Sequence, residues 1–238
     1  MDSYFLHAAW NNLIMANYIV PPKLLSPFVP YKTELDFFEG KTYVSLVGFM
    51  FMNTKILGFS VPYHINFEEV NLRFYVKHND NGNWKRGTVF IKEIVPRSAI
   101  TFVANNLYRE KYITMKMKHF HEVKENEIET CYEWKYKDNW NKLSAISEKK
   151  SKPMRIGSHA EFIAEHYWGY TRYGKNKTYE YEVKHPRWDI FDALSYTVDC
   201  DFGNIYGEEF SFLKNIEPDS VFMAKGSEIK VYHKKILL

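Results

Sequence analysis

The stretch Phe67–Val76, FEEVNLRFYV, carries the residue types of a polar site on one face of a strand. Glu69, Asn71, Arg73 and Tyr75 fall at every second position, and Val70, Leu72, Phe74 and Val76 take the alternate ones. A guanidinium can hold a carboxylate or phosphate through two parallel hydrogen bonds. A glutamate can accept or deliver a proton, and an asparagine can orient a polar group. Two readings of that face stand at this point. It is either an ordinary wet surface, which antiparallel sheets commonly have, or the wall of a polar pocket.

Other chemistry is sparse. There is no glycine-rich phosphate loop, no GxSxG elbow, no HExxH and no calcium-binding loop. His119 and His121 in HFH share a strand face, which zinc would accept, but no spacing supplies a third or fourth ligand. They read as half-exposed histidines on an outer face. No metal and no cofactor is expected. Cys131 and Cys200 form no CxxC motif and read as free thiols in a reducing compartment.

The elements that must position such a site lean toward sheet. The 238 residues include 18 Phe, 18 Tyr and 6 Trp, side chains that suit pleated, half-buried surfaces. A formal charge of +3, spread evenly, does not argue for nucleic acid, and the basic run SEKKSKPMR reads as a solvated linker. No uninterrupted apolar run is long enough for a membrane span, and the N-terminal MDSYFLHAAWNNL lacks the apolar core of a signal peptide. A cytoplasmic protein is expected.

Along the chain, Trp10–Val20 reads as extended and stops at Pro21 and Pro22. PPKLLSPF opens a short helix with Leu24, Leu25 and Phe28 turned inward. A strand, a turn at Glu39-Gly40-Lys41 and a long apolar strand from Tyr43 follow. Asn81-Gly82 marks a hairpin joining Phe67–Lys77 to the returning GTVFIKEIV. A helix after Pro96 gathers Ile100, Val103, Ala104 and Leu107 on one face. Strands over about Tyr112–Val123, Ile128–Tyr136 and Leu143–Glu148 come next. Ser158 with Glu161 forms a capping box opening the helix SHAEFIAEHYW. Tyr179, Tyr181 and Val183 alternate with Glu180, Glu182 and Lys184 on a later strand. HPRW reads as a rigid turn with Trp188 packed inward. The expected fold is one mainly β domain, residues 1–238, with a few helices and an antiparallel sheet that is closed or nearly so.

Several motifs occur in a fixed order: MANYIVPPKLLSPFVP, GKTYVSLVGFMF, FEEVNLRFYV, KRGTVFIKEIVPRSAI and ANNLYREKY. Together they resemble the uncharacterised YqjF-like family of the acetoacetate decarboxylase-like superfamily, strongly over about Trp10–His119 and more weakly to about Gly207. The resemblance implies a β-barrel or cone-shaped double sheet with a central cavity and flanking helices. It implies further that Glu69 stands where a strand glutamate of pattern TESGxxIPV lines that cavity. Asn71, Arg73 and Tyr75 would then face inward with it.

The decarboxylase branch uses a Schiff-base lysine in a segment of pattern GRExxxxPKK. Laid on ANNLYREKY, that pattern puts Tyr112 at the lysine position and Lys111 on the preceding proline. A phenol cannot form an imine, and on a strand Lys111 would point the opposite way. Lys116 and Lys118 share the parity of Tyr112 and otherwise read as exposed. Gly169–Arg172 resembles the strand pattern GPTR of the same branch, which makes Arg172 a further cavity candidate.

The resulting expectation is a small organic acid or carbonyl ligand. Arg73, Asn71, Tyr75 and Arg172 would bind it, and Tyr112 and Glu69 would act on it. Glu69 could instead neutralise Arg73 in an internal ion pair. One alternative is a lyase or hydratase forming an imine at Lys111 or Lys116. Another is a non-catalytic structural or interaction module. Homo-oligomerisation is left open.

Overall fold

The computed structural model describes residues 4–238. The strands are β1 (Tyr4–Val20), β2 (Glu34–Leu35), β3 (Thr42–Ile56), β4 (Phe67–Asp80), β5 (Asn83–Val95), β6 (Tyr112–Thr114), β7 (Lys116–Val123) and β8 (Glu127–Tyr136). They continue with β9 (Asn139–Glu148), β10 (Lys152–Pro153), β11 (Trp168–Gly174), β12 (Lys177–Lys184), β13 (Asp189–Asp199), β14 (Ser220–Tyr232) and β15 (Lys235–Leu237). Four short α-helices punctuate them: α1 (Pro22–Leu25), α2 (Ser98–Val103), α3 (His159–Ala164) and α4 (Phe202–Tyr206). None of the described helices is long and apolar enough to cross a membrane. The fold is mainly β.

The order β12-β11-β5-β4-β3-β1-β14 returns on itself, because β12 also pairs with β14. The sheet therefore closes in a ring. From β14 it continues through β13, β9 and β8 to β7, which forms a second layer. Most pairings are antiparallel, as expected, but β11 joins β5 and β6 joins β5 in parallel.

Sequence chemistry accounts for the local structure. Asn81 and Gly82 take positive φ values of 53° and 93° in the two-residue turn between β4 and β5, the conformation that asparagine and glycine tolerate best. The Ser158 hydroxyl accepts from the backbone N–H of Glu161 at 3.3 Å, and the Glu161 carboxylate accepts from the N–H of Gly157 at 2.6 Å. That caps α3 where the sequence placed its start. The helix ends at Ala164, four residues before Trp168, because Trp168 is taken into β11 opposite Gly87. Strand pairing outweighs local helical propensity there. The helix after Pro96 holds its α form only to Val103. A π turn over Ala104–Tyr108 then shifts the phase, so Ile100, Val103 and Ala104 stay partly buried while Leu107 is exposed.

The two faces of β4 separate two cores. Val70, Leu72, Phe74 and Val76 pack outward with Trp134 and Leu143 of the second layer and with Phe202 and Phe210. Phe67 and Tyr75 belong to the inner cluster with Phe49, Phe51 and Trp188. A bulge in β5 sets the register between them. Leu72 faces Lys92 and Arg73 faces Phe90, so Ile91 is the extra residue. Ile91 packs in the outer core, and Lys92 donates to the carbonyl of Ile205. Phe90 and Glu93, three apart in sequence, therefore both face the interior of the ring.

Candidate functional site

A cavity of about 230 Å³ lies inside the ring. Its polar floor is a cross-strand row: Asn71 on β4 faces Glu93 on β5, which faces Tyr112 on β6. Glu69 and Arg73 flank Asn71 along β4. Trp10, Phe49, Phe51, Tyr108 and Trp188 supply apolar walls, and Phe59, Val61 and Ile100 contribute from the 57–66 loop and α2. The polar face of β4 is thus the wall of a pocket at Glu69, Asn71 and Arg73.

Glu69 is 2% exposed. One carboxylate oxygen accepts from the Asn71 amide at 2.9 Å and the other from the Tyr112 hydroxyl at 3.0 Å. Burial pushes its pKa up to about 7 despite those two donors. Glu93, equally buried, is pushed well above the carboxylate range by burial and then by the nearby Glu110 and Glu69. Burial and its acidic neighbours thus favour its neutral, protonated form. Glu110 accepts from Thr171 and, at 3.0 Å, from Tyr181; burial raises it to about 6. Among the described residues, no group of three or more His, Cys, Asp or Glu side chains is arranged to hold a metal ion.

Arg73 is 8% exposed, and among the described residues no carboxylate comes within 4.0 Å of it. The alternative of an internal ion pair with Glu69 does not form. One guanidinium nitrogen makes a long, 3.4 Å bond to the carbonyl of Ile163, and Nε has no partner. The Tyr112 hydroxyl is not eased toward ionisation either. Burial, Glu69 and Glu93 all raise its pKa, and it stays a donor.

Tyr75 does not line the cavity. Its hydroxyl is 2.6 Å from Ser45 Oγ, which donates in turn to Asn17 at 2.6 Å. Its ring stands behind Arg73, 5.8 Å from the guanidinium carbon. Arg172 also lies elsewhere. It is exposed and donates to the carbonyls of Pro27 and Val29 at 2.9 and 2.6 Å. The reason is parity on β11: Gly169 and Thr171 face the cavity side, and Arg172 shares the outward side of Tyr170, a member of the outer core. Lys111 is exposed with its ammonium 5.5 Å from the Phe28 ring, and Lys116 is exposed on β7. No lysine lines the cavity among the described residues. His119 lies outside it as well, with Nδ1 2.7 Å from Glu68.

Sequence reasoning missed Glu93, Glu110 and His166, all of which line the cavity. Glu110 shares the parity of Tyr112, a usable signal. Glu93 is a lone acid in the apolar run VFIKEIV, but the bulge at Ile91 breaks the alternation that would have aimed it. His185 and Trp188 of HPRW line the cavity as a stacked pair, 4.2 Å between centroids.

The fold defines a class. The enduracididine biosynthesis enzyme MppR with HEPES bound has a TM-score of 0.71 to this chain at 9% identity, covering all of this chain and 89% of that one. Its complex with pyruvate has a TM-score of 0.68 at 10% identity and covers all of this chain and 92% of that one. Acetoacetate decarboxylase from Legionella pneumophila has a TM-score of 0.66 at 14% identity over all of this chain and 90% of that one. The chain thus has the acetoacetate decarboxylase-like fold. Residues 7–228 match the DUF2071 family of uncharacterized conserved proteins, and the chain belongs to that family. It is similar to the uncharacterized protein YqjF of Bacillus subtilis (strain 168), with 26% identity over 197 residues, 80% of this chain and 76% of that protein.

Proposed function

We propose that this chain binds a small organic acid or carbonyl compound inside the ring and moves a proton on it without a covalent lysine intermediate. One observation carries the reading. Six buried polar atoms that lack a protein partner among the described residues belong to side chains lining the cavity: Trp10 Nε1, Thr54 Oγ1, Asn71 Oδ1, Arg73 Nε, Glu93 Oε2 and His166 Nδ1. Buried polar groups are nearly always paired, and an unpaired one costs roughly 1–3 kcal/mol. A wall that concentrates them is built to meet the polar groups of a guest.

The roles follow from charge. Arg73, buried and free of carboxylates, holds the acid group of the ligand. Glu93, whose protonated form burial favours, donates through its free oxygen to a carbonyl or enol oxygen. Glu69, at about 7, exchanges a proton near physiological pH. Tyr112 and Asn71 hold Glu69 in position. The apolar remainder lies against Trp10, Phe49 and Trp188. The pyruvate complex of a protein with this fold supports a small acid as guest. The whole chain works as one domain in this reading, since β12 and β14 complete the ring that β1 and β3–β5 begin.

The test is calorimetric titration with pyruvate, 4-methyl-2-oxopentanoate and the neutral 4-methyl-2-pentanone. The acids are expected to bind the wild-type protein, and Arg73→Met to weaken both by about a hundredfold. Equal affinity of wild type and Arg73→Met for the acids would overturn the reading.

A further inference from the structure

His166 brings to the cavity an imidazole that nothing in the acid–base pair uses. Its side chain is 1% exposed. Nε2 lies 3.4 Å from a carboxylate oxygen of Asp36, and that same oxygen accepts from Arg86 Nε at 2.6 Å. The ring is packed on Tyr75, 4.6 Å between centroids, and meets Phe162 edge-on at 5.4 Å. Nδ1 is buried without a partner, and the residue lines the cavity. The Tyr75 ring that supports His166 also lies 5.8 Å from the Arg73 guanidinium carbon. The imidazole therefore borders the same pocket on the side of Arg73 away from Glu69.

We propose that His166 selects the ligand, by accepting a hydrogen bond at Nδ1 from a hydroxyl carried next to the carboxylate that Arg73 holds. The cavity then prefers a 2-hydroxy acid to the matching 2-oxo acid. This rests on the reading of Arg73 as the carboxylate anchor.

The tautomer follows from the partners. Asp36 is an acceptor, so Nε2 carries the proton and donates to it. A neutral ring then has only a lone pair at Nδ1. The ring is neutral because burial, with Arg86 and Arg73 nearby, outweighs the pull of Asp36 and pushes His166 down to about 4. Arg86 in turn answers the charge of Asp36. No other charged group contacts the ring among the described residues. A bare buried acceptor discriminates strongly between guests that can and cannot donate to it. A carbonyl oxygen placed there would set two lone pairs against each other.

Three probes of one carbon skeleton decide the matter: 2-hydroxy-4-methylpentanoate, 4-methyl-2-oxopentanoate and 4-methylpentanoate, titrated calorimetrically. The wild-type protein is expected to bind the hydroxy acid at least about tenfold more tightly than either of the others. His166→Phe keeps the ring shape and is expected to bring the three affinities within about threefold of one another. Asp36→Asn can turn its amide toward Nε2, so that Nδ1 carries the proton. The preference for the hydroxy acid then shrinks or reverses. If His166→Phe fails to fold, the wild-type ratio and Asp36→Asn still decide. Three equal affinities in the wild type, all lost in Arg73→Met, overturn the role of His166 and leave the anchor intact. No binding of any acid overturns both.

Discussion

Asn71 and Glu93 sit directly opposite each other on β4 and β5, and each keeps one side-chain oxygen without a partner. Together they form the middle of the polar floor. On one side Glu69 is held by Tyr112 and Asn71, and on the other Arg73 has no carboxylate within 4.0 Å among the described residues. The arrangement places unpaired polar atoms inside the ring, and the following outcomes depend on it.

Burial of Glu69 makes stability depend on pH. Its folded pKa, about 7, lies above the ordinary glutamate value of 4.5. The folded state therefore holds its proton more tightly than the unfolded chain does. Glu69 imposes no penalty below about pH 4.5. Its penalty grows as pH rises toward 7 and then levels off at about 3 kcal/mol. His166, depressed to about 4, contributes the opposite slope between its folded pKa and 6.5. Comparing Glu69→Gln with wild type cancels that contribution. Urea denaturation at pH 4.5 and pH 8 is expected to show the variant gaining roughly 2–3 kcal/mol on wild type at the higher pH. A difference that stays constant across that range would contradict the burial argument.

The imine alternative has its own readout. Lys111 and Lys116 lie outside the cavity, so incubation with pyruvate and sodium borohydride is expected to leave the intact mass unchanged. A stable adduct on either lysine would revive covalent catalysis.

Gly169 allows Tyr181 to lie against β11. A Cβ at position 169 would stand 2.1 Å from the Tyr181 ring. Gly169→Ala must therefore push that ring away and deprive Glu110 of one of its two hydroxyl donors, leaving Thr171. A loss of about 1–3 kcal/mol is expected by chemical denaturation, as for other overpacked sites. An unchanged unfolding midpoint would mean that the ring shifts freely and does not fix Glu110.

Much of this was legible in the residues, and the failures have physical causes. The two-residue period of FEEVNLRFYV assigned Glu69, Asn71 and Arg73 to one face. The family resemblance turned that face inward. The hairpin at Asn81-Gly82, the short helix after Pro21 and the cap at Ser158 followed from local turn and capping chemistry. Three site assignments then failed, only the first of them through broken alternation. The bulge at Ile91 hid Glu93. Thr171 took the inward position that a motif match had offered to Arg172. Tyr75 kept its parity but was drawn behind the wall by Ser45 and Asn17. His166 was lost in an amphipathic pattern that continued past Ala164, where pairing of Trp168 with the β5 edge stops the helix. Closure of the ring by β12 and β14 joins segments far apart in sequence, and no local signal encodes it.

The most direct measurement is a crystal structure of the protein grown with 2-hydroxy-4-methylpentanoate. The account predicts density for the acid inside the ring, with its carboxylate within about 3.2 Å of Arg73 Nε, a normal hydrogen-bond distance. A cavity filled by rearranged side chains, with Arg73 paired to Glu69 and the acid bound elsewhere, would contradict it.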